Sequence, residues 1–321
     1  MKQNIGIPVW GLAAAVLMTA CVAHAGSVSP FSVVLLPDTQ NYSEKYPETY
    51  LAQTQWIRDN AERENIKFVI HLGDIVQNAH AENEWQAADA AHKLLDGHVP
   101  YSVAPGNHDL RAEEKLVTRD TPLYDQYFPP ERFQGHAWYG GHLGNNNACN
   151  YCTFEAAGMK FMVISLTFAP DDAMLAWASE VIQAHPEHRV ILATHYHMRP
   201  EGRAAEEKPY GLEGHAGERL WENFIRKQPN VFMVVSGHVL GVHHQTATND
   251  AGNPVHELLC DYQGEENGGN GWLQVLRFVP EENTIRVEAF SPTLNQVRTD
   301  LPDTYALEYA MTGELVEAAQ P

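Results

Sequence analysis

Five short apolar runs in this chain each break on residues that can hold a metal ion, and that repetition limits the possible fold more than any other feature. Residues 31–36 stop at Pro37 and deliver Asp38-Thr39-Gln40. Residues 68–72 lead to Gly73-Asp74, and residues 101–104 to Gly106-Asn107-His108-Asp109. Residues 189–193 run into Thr194-His195-Tyr196-His197, and residues 231–235 into Ser236-Gly237-His238. Short β-branched runs bounded by Gly and Pro read as buried strands. Between the first two, Tyr50, Leu51, Thr54 and Ile57 recur at helical spacing and predict a helix within 46–63. Further amphipathic stretches predict helices over 84–95, 173–183 and 218–227. Strands alternating with helices build βαβ units and a mainly parallel sheet. Residues 151–154 and 159–166 pair as a hairpin across Ala157-Gly158, and beyond 243 strand follows strand, at 243–248, 255–260, 272–278 and 284–290. The sum is an α/β fold of two packed mixed β-sheets flanked by helices.

In such sheets ligands collect outside the carboxyl ends of the strands. Taken singly, each residue there has an ordinary reading: Asp caps a helix, Gly-His makes a turn, and a histidine after a strand is a satisfied polar group. Repeated along one edge, with Asp, Asn and His mixed, the set reads as a metal centre. That donor mixture suits Mn, Fe or Zn.

The 321 residues suffice for one large domain with a substantial core. Lysine plus arginine number 21 against 41 aspartate plus glutamate, a formal charge of −20. A field of that sign repels nucleic acid and anionic lipid, so no sequence-blind grip on DNA is expected. It also repels phosphate esters, and a site for a small phosphate ester therefore needs a local positive centre such as bound cations.

Lys2, the apolar run 9–22 and Ala23-His24-Ala25 predict an export signal cleaved after Ala25, and hence a periplasmic or secreted protein. Met18-Thr19-Ala20-Cys21 offers a lipoprotein alternative, with Met a poor fit at its position. No later stretch is long and apolar enough to span a membrane. Of the other cysteines, Cys149 and Cys152 are expected to form a local disulfide in an oxidising compartment, leaving Cys260 buried and free. A bridge from Cys260 to either one is the alternative, and a zinc knuckle lacks its second pair. Residues 110–150 read as a long surface excursion. Together with the polar loop 200–217 they are candidates for substrate selectivity. The expected division is a leader at 1–25, one domain at 26–303 and a peripheral acidic tail at 304–321; oligomeric state is left open.

The order of motifs resembles the calcineurin-like metallophosphoesterase superfamily from Asp38 to about Ser291. Gly106-Asn107-His108-Asp109 matches the family's GNHD, while Pro37-Asp38-Thr39-Gln40 and Gly237-His238-Val239-Leu240 are similar to a secreted branch. The resemblance implies a four-layer αββα sandwich, two divalent or trivalent metal ions (Mn, Fe or Zn) and a small phosphate-ester substrate. It places Asp38 and Gln40 on the first metal, Asp74 between both, and Asn107, His195 and His238 on the second. His108 becomes the general acid toward the leaving oxygen. Two such cations generate hydroxide at neutral pH and neutralise the phosphoryl oxygens. Three positions depart from the pattern: Gln40 and Leu240 stand where the family commonly has His, and Gln77 where an Asp usually orients the acid. These departures motivate an alternative, a binding protein that kept the fold and lost turnover. His243 and His244 read as strand residues in a turn, His197 as a surface histidine, and Gly268-Gly269-Asn270-Gly271-Trp272 as a glycine turn or a lining of the cleft.

Overall fold

The computed structural model describes Met1 and residues 29–113, 116–206, 208–299 and 302–311. The expected export signal, with its lipoprotein alternative at Cys21, lies outside the described residues.

Two seven-stranded sheets form the molecule's centre. In the first, strand Phe31–Leu36 lies parallel to Ile66–His71, which lies parallel to Tyr101–Ser102. On its other side the sheet continues antiparallel through Leu273–Val279, Thr284–Ser291 and the short Gln296–Val297. The second sheet has a parallel middle of Met159–Leu166, Arg189–Thr194, Val231–Ser236 and Pro254–Asp261. Antiparallel strands Asn150–Ala156 and Gly241–Thr248 flank that middle. Each sheet is therefore mixed, as expected, with its parallel strands centred on the motif-bearing runs.

Side chains of a strand alternate between faces, and here each face has its own core. Phe31, Val33 and Leu35 point inward to meet Phe161, Val163, Ile191, Met233 and Leu258 of the other sheet. Val34 and Leu36 point outward onto Tyr50 and Ile57 of helix Pro47–Asn60 and Trp85 of helix Glu82–His92. On the far side, Val190 and Leu192 pack against Leu175, Ala178 and Ile182 of helix Asp172–Ala184 and against Leu220 and Trp221. Helices, sheet, sheet and helices thus stack in four layers. Among the described residues no helix is long and apolar enough to cross a membrane.

Three expectations change. Residues 110–150 are more than a surface excursion: Tyr124, Phe128 and Phe133 are fully buried against Trp85 and Tyr101, closing the end of the first sheet. The segment after 303 is not wholly peripheral. Tyr305–Glu308 pairs antiparallel with Thr284–Ser291, and Leu307, Tyr309 and Met311 enter the inter-sheet core. Its alternating apolar residues override its acidic composition. Finally, Cys149, Cys152 and Cys260 are all free and buried. Three residues apart along extended chain, Cys149 and Cys152 point to opposite faces, one into the outer core and the other between the sheets, so no local bridge closes.

Candidate metal centre

The loops after the parallel strands converge because backbone is allowed to approach carboxylate very closely. A Cβ on Gly106 would sit 2.2 Å from Asp74 Oδ1, and one on Gly237 would sit 2.1 Å from Asp38 Oδ2. No side chain can stand at either position. Asp109 ties two of these loops together, its carboxylate accepting from the backbone amides of Ile75, Val76 and Gly106 at 2.8–3.0 Å. Asp74 and His238 themselves adopt left-handed backbone, with φ of 50° and 73°. Such conformations cost energy for non-glycine residues and concentrate at functional sites.

His195 is the hub. Its Nδ1 lies 2.9 Å from the Leu72 carbonyl, which can only accept, so Nδ1 carries a proton and Nε2 faces the centre. Around Nε2 stand Asn107 Oδ1 at 3.1 Å, Asp74 Oδ2 at 3.2 Å, His238 Nδ1 at 3.2 Å and Asp38 Oδ1 at 3.8 Å. Asp74, His195 and His238 offer ligand atoms all within 4.8 Å of one another. Backbone amides aim the two carboxylates: His108 N donates to Asp74 Oδ1 at 2.9 Å, and His238 N to Asp38 Oδ1 at 3.1 Å.

The electrostatics show a surplus of negative charge seeking a cation. Burial opposes charge on His195, yet the carboxylates of Asp74 and Asp38 hold its imidazole up at about 10. Against the push of burial, the same imidazole holds Asp74 down at about 2. Asp38 is raised well above the usual range by burial and by the neighbouring Asp261 carboxylate. His238 is pushed down to about 3 by burial and by the charge on His195. A metal cation among these atoms would satisfy the carboxylates and leave both imidazoles neutral, the form in which they ligate.

Gln40, two residues beyond Asp38, supplies a second observation of fit. Its Nε2 donates to Gln77 Oε1 at 2.9 Å, while its own Oε1 is buried without a hydrogen-bond partner. Buried carbonyl oxygens rarely go unpaired, and a cation is a sufficient partner for this one. His108 stands beside the cluster, half-buried, with Nδ1 donating to the Gln77 backbone carbonyl at 2.9 Å. Of the seven residues expected from the sequence, six lie on the loops that follow the strands, and Gln40 opens the helix Gln40–Lys45 directly after the first of these loops.

Other residues fall differently. His197 is not at the surface: it is fully buried, with Nε2 2.6 Å from Glu257 Oε2, and Arg203 holds the same carboxylate. His244 stacks on Tyr305 at 3.8 Å, and its neighbour His243 lies on the same strand, outside the ligand cluster. Leu240 is exposed. The glycine turn packs on the helix carrying Gln40, with Gly271 N donating to Tyr42 Oη at 2.9 Å. Two features escaped sequence reasoning. Asp261, buried at the end of its strand, has its carboxyl raised by burial to about 6; the strand-end rule applied to the later strands would have found it. Phe168, Tyr196 and Tyr210 surround His238 at ring distances of 5.5, 4.4 and 5.6 Å, an aromatic wall with no local signature.

Residues 31–241 match the model of the family described as calcineurin-like phosphoesterase, a span holding every candidate ligand. The chain is 32% identical over 282 residues to the uncharacterized protein YvnB of Bacillus subtilis (strain 168), covering 86% of this chain and 21% of that protein's length. In structure it is similar to the purple acid phosphatase PPD1 of yellow lupin (Lupinus luteus), with a TM-score of 0.53, 14% identity, and coverage of 89% of this chain and 55% of that one. A weaker likeness, with a TM-score of 0.47 and 11% identity, links it to GAP50, the anchor in the inner membrane complex of Plasmodium, covering 89% of this chain and 90% of that one.

Proposed function

This chain belongs to the calcineurin-like phosphoesterase family, and from that premise we propose that it is an exported, metal-dependent hydrolase of small phosphomonoesters or phosphodiesters with a dinuclear centre. The observation that carries this reading is the ring of ligand atoms around His195 Nε2, and the buried, partnerless oxygen of Gln40, two residues beyond Asp38, supports it. In the proposed assignment Asp38, Gln40 and Asp74 would hold the first ion, and Asp74, Asn107, His195 and His238 the second. Bound there, Mn, Fe or Zn would supply Lewis acidity, activating water and neutralising phosphoryl charge.

The protein's own contribution is positioning and proton transfer. Backbone amides of His108 and His238 fix the carboxylates before substrate arrives, so no reorganisation is needed during reaction. His108, when cationic, carries a second proton at Nε2 and donates it to the departing oxygen. The neutral ring left behind keeps its Nδ1 proton on the Gln77 carbonyl, which preserves its orientation. Tyr210, nearly half exposed at 48%, stands beside His238 at the mouth of the cluster. The leader at 1–25, the domain at 26–303 and a periplasmic or secreted location are part of the same proposal, supported by the sequence pattern of the leader.

The test is a panel of aryl phosphate monoesters and diesters, with mature protein loaded in turn with Mn, Zn and Fe and Asp74→Ala as control. Hydrolysis by the loaded protein, abolished in the variant, is expected. Undiminished hydrolysis by Asp74→Ala would overturn the site. No hydrolysis under any metal, with no metal retained, would favour the binding-protein reading.

A further inference from the structure

Gln40 and Gln77 both depart from the residues common in the family, and they touch each other. Gln40 Nε2 donates to Gln77 Oε1 at 2.9 Å, and the oxygen on the other side of the Gln40 amide is the buried atom with no partner. A carboxamide can be turned end for end within one shape, exchanging an acceptor for a donor. Only one orientation presents oxygen to a cation; the other presents an amide NH2 and repels it. What Gln40 can offer a metal is thus decided by what Gln77 presents to it.

The Gln77 backbone is set in place independently. Glu84, itself buried, accepts from Gln77 N at 2.8 Å, from Asn78 N at 2.9 Å and from Asn78 Nδ2 at 2.7 Å. The loop is therefore braced from helix Glu82–His92. The Gln77 backbone carbonyl meanwhile accepts from His108 Nδ1. Orienting the histidine needs no side chain at this position, which leaves the Gln77 side chain available for another task.

We propose that Gln77 is a positioning residue for the first metal, its side-chain oxygen fixing the Gln40 amide with oxygen toward the ion. The inference rests on the dinuclear reading above. Paired carboxamides can flip together, so a carboxylate at position 77, which only accepts, locks the productive orientation more firmly than the native amide. Gln77→Glu should therefore bind the first metal as tightly as the native protein or more so. Gln77→Met, similar in shape but without an acceptor, should bind it about three- to tenfold more weakly, the scale of one lost hydrogen bond.

The experiment is a chelator-competition titration of the mature protein with Mn, resolving both metal affinities, with metal stoichiometry and the metal-free unfolding midpoint alongside. The expected result is a weaker first site in Gln77→Met, its restoration in Gln77→Glu, and unchanged second-site affinity and metal-free stability. In a Gln40→Met background the Gln77→Met change should have no further effect on affinity. Two ions in the native protein with an unaltered first site in Gln77→Met overturns this inference while the dinuclear reading stands. A drop in metal-free stability without a drop in affinity also overturns it, as does a drop that persists in the Gln40→Met background. Fewer than two ions in the native protein overturns both.

Discussion

At the scale of the residue, the centre is built from groups whose neighbours leave them one role each. His108 has Nδ1 committed to a carbonyl, so only Nε2 can exchange protons with a substrate. An acid matters most when the leaving group is poor. His108→Ala should lower kcat for alkyl phosphates by roughly 10²–10⁴-fold, and much less for nitrophenyl esters, whose oxygen departs without a proton. Steady-state rates across leaving groups of graded pKa check this; an equal loss for all would remove His108 from the acid role. The ligands were legible in the sequence because each stands within a few residues of the end of a buried run. The His197–Glu257 pair was not, since its meaning depends on a contact made across dozens of residues.

At the scale of the element, sheet packing and a buried ion cluster carry the stability that keeps the loops in place. Phe161 is fully buried and stacks on Phe154 at a ring distance of 5.1 Å, with Phe31 and Phe278 against it at 5.5 and 5.7 Å. Phe161→Ala should cost about 3–5 kcal/mol of unfolding free energy, measured by urea denaturation. The strap 198–203 is anchored where Glu257 accepts from Arg203 at 2.6 and 2.8 Å. Against burial, His197 and Arg203 hold the Glu257 carboxyl down at about 2, from an ordinary 4.5. A depressed carboxyl contributes stability above its unfolded value and loses it as pH falls toward the folded one. Glu257→Gln should therefore cost roughly 3 kcal/mol near neutrality. That gap should narrow as pH falls from about 4.5 toward 2, in urea midpoints taken across the range. Strands and helices were readable from periodicity. The strand Tyr305–Glu308 was not, because the acidic composition of the tail around it masked a short segment that only a waiting sheet edge could use.

At the scale of the whole molecule, a formal charge of −20 surrounds a site that must admit an anion. Screening weakens that repulsion, so kcat/KM for a dianionic monoester should rise between low and physiological salt. A monoanionic diester should respond less. Rates in an inert salt series decide the matter; a fall with salt would mean that the local cationic centre dominates approach. The charge was plain in the sequence, but its relation to the candidate site needed the four layers to be seen together.

The three free cysteines fall in two layers, Cys149 between the second sheet and its helices, Cys152 and Cys260 between the two sheets. Burial raises all three thiols and so suppresses the reactive thiolate, in Cys149 to about 12. A thiol reagent can then report only on openings of the fold. The protein thus carries its own stopwatch for two of its interfaces, and the order in which its sulfurs become modified tells which of those two seams parts first.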